Sequence, residues 1–89
     1  MQVGEAMVLG AFLCPGGVQE LECKAVCPDA GFERLNVVTG AGRAAVALDR
    51  PERGARRRFK AVLGTDAPVR PGQRVVVEFF HPGEQAGAR

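Results

Sequence analysis

Hydrophobic and polar residues alternate with a period of two over several short runs, and most of these runs end at a turn containing glycine or proline. The most strongly marked run covers residues 70–80, where Pro71-Gly72 forms a tight turn and a β-branched and aromatic segment follows. Both faces of this segment are largely apolar, which predicts a central strand covered on both sides. The two faces comprise Val75, Val77 and Phe79 on one side and Val76, Glu78 and Phe80 on the other.

The same alternation predicts five further strands. They cover residues 5–14, 18–25, 32–38, 43–48 and 57–63. Six short strands at fairly even spacing predict an all-β fold, a small antiparallel β-barrel or compact sandwich. We expect residues 1–83 to form a single domain and residues 84–89, which lack an apolar anchor, to form a mobile tail.

The alternation assigns most strand residues to an inward or an outward face of the sheet. Gly10, in the middle of the first strand, predicts a bulge or a close backbone approach. The inward faces are predicted as Leu21, Cys23 and Ala25; Leu35 and Val37; Ala44, Val46 and Leu48; and Phe59, Ala61 and Leu63. In the first strand, Met7, Leu9, Ala11 and Leu13 share a face, and in the third strand Arg34 and Asn36 face outward. The small outward residues Ala45 and Ala47 suit contact with another chain or another part of the barrel.

Asp49 and Glu52 have the spacing of a capping box, which predicts one helical turn over residues 49–52.

Composition narrows the choice of function. The aromatic residues make up 6% of the chain and are all Phe, which disfavours a stacking platform for single-stranded nucleic acid. The formal net charge of +2 identifies no partner. With no signal peptide, no apolar stretch long enough to cross a membrane and an odd number of cysteines, the expected location is the cytoplasm.

The densest polar feature is a basic segment at residues 49–60, with six basic and two acidic side chains; the rest of the chain has six basic and eight acidic ones. The candidate residues for binding an anion or a partner are Arg50, Arg53, Arg56, Arg57, Arg58 and Lys60. An arginine guanidinium can pair with two oxygens of a phosphate or carboxylate at once. The alternative interpretation is a solvated connection that keeps the protein soluble and protects an edge strand.

Part of this segment resembles a known motif. Arg53 and Arg57, followed by Arg58-Phe59, are similar to the RxxxR motif of PilZ domains, small β-barrels that bind cyclic dinucleotides through arginines. The resemblance implies a phosphorylated ligand for these arginines. PilZ domains carry a second motif, (D/N)xSxxG, which this chain lacks because it contains no serine. The chain is therefore not assigned to that family.

Other candidate chemistry is sparse. Cys14, Cys23, Cys27 and His81 are the ligand types of a Cys₃His zinc site, but Cys23 and Cys27 are separated by three residues instead of two. Packed or free thiols are the favoured interpretation, with Cys27, in a loop beside Pro28, as the most reactive one. No cofactor is expected. Without serine a Ser-His-Asp triad is impossible, and nothing local indicates a Cys-His pair.

These features predict a protein that binds and does not catalyse. The first hypothesis is a structural or adaptor protein, a β-barrel building block in an oligomeric assembly whose partner is another protein or a second copy. The alternative is an arginine-loop module for nucleic acid or a phosphorylated or cyclic-nucleotide ligand.

Overall fold

Residues 1–66 and 68–84 are described by a computed structural model, and they form six antiparallel β-strands in one nearly closed, barrel-shaped sheet. The strands are β1 (Gln2–Cys14), β2 (Val18–Val26), β3 (Arg34–Thr39), β4 (Gly42–Ala47), β5 (Arg56–Gly64) and β6 (Arg74–Phe80). The described residues contain no helix, so the prediction of a small all-β barrel is confirmed.

The strand order is β4-β3-β6-β1-β2-β5, and β1 joins its two halves. This strand of 13 residues pairs with β6 from Gln2 to Met7 and with β2 from Met7 to Cys14. The strands β4 and β5 end the sheet on its two sides and approach each other, which nearly closes the barrel. The part of β1 beyond Met7 therefore extends past β6.

The barrel interior contains the apolar faces that the alternation predicts. Leu21 and Cys23 from β2, Leu35 and Val37 from β3, and Val75, Val77 and Phe79 from β6 are all buried. Phe32 precedes β3, and its ring packs against that of Phe79 with the centroids 5.2 Å apart. Burying these side chains supplies the main favourable free energy of folding, at about 25 cal/mol for each Å² of apolar surface removed from water.

The prediction that β6 is covered on both faces is wrong. The strand is central, between β1 and β3, but its outer face forms part of the barrel wall, and Val76 is 43% exposed. Phe80 is covered on that face because the guanidinium of Arg34 lies 4.2 Å from its ring centroid. A barrel has a single interior, so an apolar residue on the outer face requires local cover of this kind.

A bulge in β1 is confirmed, and it overturns the predicted face of that strand. The register with β2 shifts between Val8 and Gly10, which leaves Leu9 as the extra residue. Val8 points into the core before the bulge and Ala11 packs against the core after it, so the inward positions change from even to odd. Met7, Leu9, Ala11 and Leu13 therefore do not share one continuous face.

Asn36 faces outward as predicted and is nonetheless buried, with its amide donating to the carboxylate of Glu78, 3.4 Å away. One local prediction is wrong. Residues 49–52 form no helical turn. Pro51 disfavours helical backbone at the preceding residue, and Arg50 instead adopts a left-handed conformation with φ 40°.

Glu84, the first residue of the predicted tail, is anchored, since its carboxylate accepts the backbone N–H of His81 at 2.6 Å and its carbonyl accepts a hydrogen bond from Arg34. Residues 85–89 of the predicted tail lie outside the described residues. No helix in the described part of the chain has the length and apolar character needed to cross a membrane.

Candidate docking surface

Strand β5 divides the predicted basic residues between its two faces. Arg56, Arg58 and Lys60 point outward and are exposed, whereas Arg57 shares the inward side with Phe59 and is half-buried. This division follows from the period of two, since consecutive residues of a strand lie on opposite faces. The structure therefore places three of the six candidate residues on the outer wall of the barrel.

The pairing of β5 with β2 adds a cation that the sequence did not single out. Lys24 lies directly opposite Arg58, Val26 opposite Arg56, and Glu22 opposite Lys60. We call the exposed side chains of Lys24, Val26, Arg56, Arg58 and Lys60 the basic wall. Lys24 belongs to an alternating run that is typical of a solvated strand face. Only the pairing of β2 with β5 shows that it lies beside the arginines.

The basic wall contains no close ion pair, although Glu22 lies opposite Lys60. Among the described residues, none of its four cations lies within 4 Å of a carboxylate. Lys24 and Arg58 face each other with the same charge, and Arg56 and Lys60 are the diagonal neighbours of Lys24. Like charges directly opposite each other destabilise a sheet. Two directly opposed cations therefore cost folding free energy unless a partner neutralises them.

The opposite side of the barrel is different. There Arg43 pairs with Glu78 at 3.2 Å, and Glu78 also accepts the amide of Asn36. The small residues Ala45 and Ala47 are exposed beside this network, as the sequence predicts. Arg43 is thus matched by a carboxylate within the chain.

An open groove of about 480 Å³ adjoins the basic end of the wall. Met7 lies at its centre, since this residue pairs with both Lys24 and Arg74 where β1 passes from one neighbour to the other. The groove is lined by Glu5, Ala6, Met7, Lys24, Ala25, Val26, Arg56 and Arg74. Arg74 is held near Glu5, with Nη1 and Oε1 3.8 Å apart. The groove combines an apolar floor with three cations and one carboxylate.

The two arginines of the loop between β4 and β5 lie beyond the same end of the wall. Arg50 and Arg53 are both exposed. The loop is fixed to the end of β2 because Cys27 donates its N–H to Ala55 at 2.9 Å and accepts the N–H of Gly54 at 2.8 Å. The loop adds charges of both signs to this end of the wall, since Asp49 and Glu52 are exposed as well.

Arg57 is the candidate residue of β5 that the structure places on the inward side, where it is half-buried. Its Nε is buried and has no hydrogen-bond partner among the described residues. The guanidinium lies near Cys27, whose pKa is raised by burial and lowered to a smaller extent by the charge of Arg57.

The cysteines do not form a metal centre in the described part of the chain, where no three His, Cys, Asp or Glu side chains come together in a suitable group. Burial raises the pKa of Cys23 to about 11. The prediction that Cys27 is the most reactive thiol is wrong, because its side chain is only 1% exposed. Cys14, at the end of β1, is the most accessible of the three. His81 stacks on Phe32, with the ring centroids 4.2 Å apart.

No protein-family model, curated protein or solved structure matches this chain, so the interpretation of the basic wall rests on its own geometry.

Proposed function

We propose that this protein is a non-catalytic β-barrel building block that docks through its basic wall onto an acidic protein surface within a larger assembly. The observation that carries the proposal is the directly opposed pair Lys24 and Arg58, exposed and without a carboxylate partner among the described residues. A carboxylate-rich partner surface would remove this repulsion on binding. The like charges that destabilise the isolated fold would therefore strengthen the complex.

The composition of the wall favours a protein partner over nucleic acid. Val26 and Val62 remain more than half exposed on the outer faces of β2 and β5, beside the cations. Interfaces between proteins combine arginine with apolar side chains at their centre. Surfaces that bind single-stranded nucleic acid usually add several exposed aromatic rings, and on the outer faces of β2 and β5 in the described residues there is none.

A non-catalytic role is supported by the state of the reactive groups. The two buried thiols have raised pKa values and are protonated at neutral pH, where a thiol is a weak nucleophile. His81 is engaged in stacking on Phe32. Neither feature resembles an activated nucleophile paired with a base.

The test compares two variants that remove the same charge from different places. Arg56→Gln/Arg58→Gln removes two of the four cations of the basic wall, and Arg43→Gln/Arg70→Gln removes two exposed cations outside it. A short poly-glutamate peptide serves as the acidic probe. We expect the wall variant to lose affinity by about 2- to 30-fold, at 0.2–1 kcal/mol for each exposed ion pair lost, and the control variant to retain it.

Salt dependence completes this test. Charge-driven docking weakens between 50 and 200 mM salt, since exposed charges are screened over about 10 Å at 0.1 M. Equal loss of affinity in both variants would show a response to net charge alone and would contradict the proposal.

A second candidate function is the binding of a phosphorylated ligand in the groove, favoured by the position of Lys24, Arg56 and Arg74 around one concave site. The volume of about 480 Å³ is in the ordinary range for small-ligand sites. Pyrophosphate and a single-stranded oligonucleotide are suitable probes. Tighter binding of either than of poly-glutamate, lost in Arg74→Gln, would favour this candidate over the protein partner.

A further inference from the structure

The second half of β1 has an open edge. Its pairing with β6 ends at Met7, and the last backbone bonds on that side join Val8 to Gly72 and Gln73. From Gly10 to Cys14 the strand pairs with β2 on one side only, and no backbone hydrogen bond from the described residues satisfies its other side. We call residues 10–14 the β1 edge.

The β1 edge lacks the charged side chains and the proline that often prevent edge strands from pairing. Its sequence, Gly-Ala-Phe-Leu-Cys, contains no charge and no proline. The bulge lies before it, and from Gly10 onward the register with β2 is unbroken. Leu13 is 82% exposed and Phe12 55%, on opposite faces of the strand. An uncharged, regular and apolar edge of this kind is a template for another strand.

We propose that the β1 edge is the contact through which two copies of this chain associate, by antiparallel pairing about a two-fold axis. This inference rests on the assembly part of the proposed function and concerns a different surface from the basic wall. When two copies of one strand pair antiparallel about a two-fold axis, the free N–H and C=O groups of each copy bond to the same groups of the other. The edge is therefore its own complement.

The side chains of the edge are also self-complementary. With Phe12 on the two-fold axis, Phe12 faces its counterpart, Leu13 faces Ala11, and Cys14 faces Gly10. Leu13 and Cys14 thus each face a smaller residue. The Phe12 ring already lies over Gly10 within one chain, since a Cβ built at Gly10 would be 3.0 Å from that ring. This contact fixes the ring against its own strand, on the face that the second Phe12 shares.

The test places a charge at the axis. In Phe12→Lys two ammonium groups would face each other, which weakens the dimer by about tenfold or more. The control is Val62→Lys, because Val62 is also 55% exposed on the outer face of the sheet but lies on β5, away from the β1 edge. Sedimentation velocity over a range of concentrations measures the mass. We expect a concentration-dependent dimer for the wild type and Val62→Lys, and a monomer for Phe12→Lys.

A cross-link tests the register independently of the charge. In Cys14→Ala/Phe12→Cys, the new thiols would face each other across the axis, within the range that a disulfide bridges. We expect this variant to form a covalent dimer under mild oxidation, whereas Cys14→Ala/Val62→Cys stays monomeric.

The outcomes separate this inference from the proposed function. A wild type that is monomeric at every concentration overturns the self-pairing and leaves docking on an acidic partner to its own test. A dimer that persists in Phe12→Lys shows assembly through another surface and also overturns the self-pairing. The same holds if a second protein is present and its strand pairs with the edge.

Discussion

The opposed cations of the basic wall allow a stabilising substitution to be predicted. Lys24→Glu replaces a like-charge cross-strand pair with an opposite-charge pair, because residue 24 lies opposite Arg58 with Arg56 and Lys60 on the diagonals. Lysine and glutamate are both weak strand formers, so the change in β-propensity is small. The effect on stability is therefore almost entirely electrostatic.

The magnitude follows from the positions of the charges. An opposite-charge cross-strand pair contributes about 0.2–1 kcal/mol, and loss of the repulsion adds a similar amount. Glu22, two residues away on the same strand face, reduces this gain. We expect a net increase of about 1 kcal/mol in the free energy of unfolding, or roughly 4–8 °C in Tm for a domain of this size.

The assay is thermal and urea unfolding of three variants. Lys24→Gln removes the repulsion alone and should give about half the gain. Glu22→Lys places a lysine opposite Lys60 and should destabilise the protein. All the differences should shrink in 1 M NaCl, where screening acts over about 3 Å. A Lys24→Glu variant that is less stable than the wild type, or a gain insensitive to salt, would refute the reasoning.

The remaining predictions concern the core and the thiols. Val77→Asp should prevent folding, since Val77 is 0% exposed and an unpaired buried carboxylate costs several kcal/mol of a total free energy of unfolding of roughly 5–15 kcal/mol. In urea titrations the exposed control Val76→Asp should still unfold cooperatively. A stable Val77→Asp would show that β6 is not central. A thiol reagent should modify Cys14 in the native protein and the other two cysteines only after unfolding; native labelling of Cys27 would contradict its burial. Burial raises the pKa of Cys23 from 9.0 to about 11, so its contribution to stability is complete below pH 9 and is lost as the pH rises to 11. Melting curves at pH 8 and 10.5 should show this loss, and Cys23→Ala should lose less.

The strands and their inward faces can be predicted from the sequence because a period of two assigns each residue to a face without knowledge of its neighbours. This holds for Leu21, Val37 and Phe59, each buried as predicted. The face of β1 was not predictable beyond Gly10, since a bulge displaces the alternation by one residue and its position depends on the partner strand.

The basic wall could be predicted only in part. The alternation along β5 separates Arg56 and Arg58 from Arg57, and that division is available from the sequence. The contribution of Lys24 to the wall and of Arg74 to the adjoining groove is not, because it depends on which strands are neighbours. The non-consecutive pairs β2–β5 and β1–β6 bring these residues together across long sequence separations, and no local pattern encodes them.

The most direct test of the central claim is to map the binding surface by NMR. The ¹⁵N-labelled protein is titrated with the poly-glutamate peptide, and the shifts of its backbone amides are followed. Docking through the basic wall predicts that the largest changes fall on residues 22–26 and 56–60 and that they diminish in Arg56→Gln/Arg58→Gln. Changes of equal size on the opposite wall, around Arg43 and Glu78, or changes that persist in that variant, would contradict it.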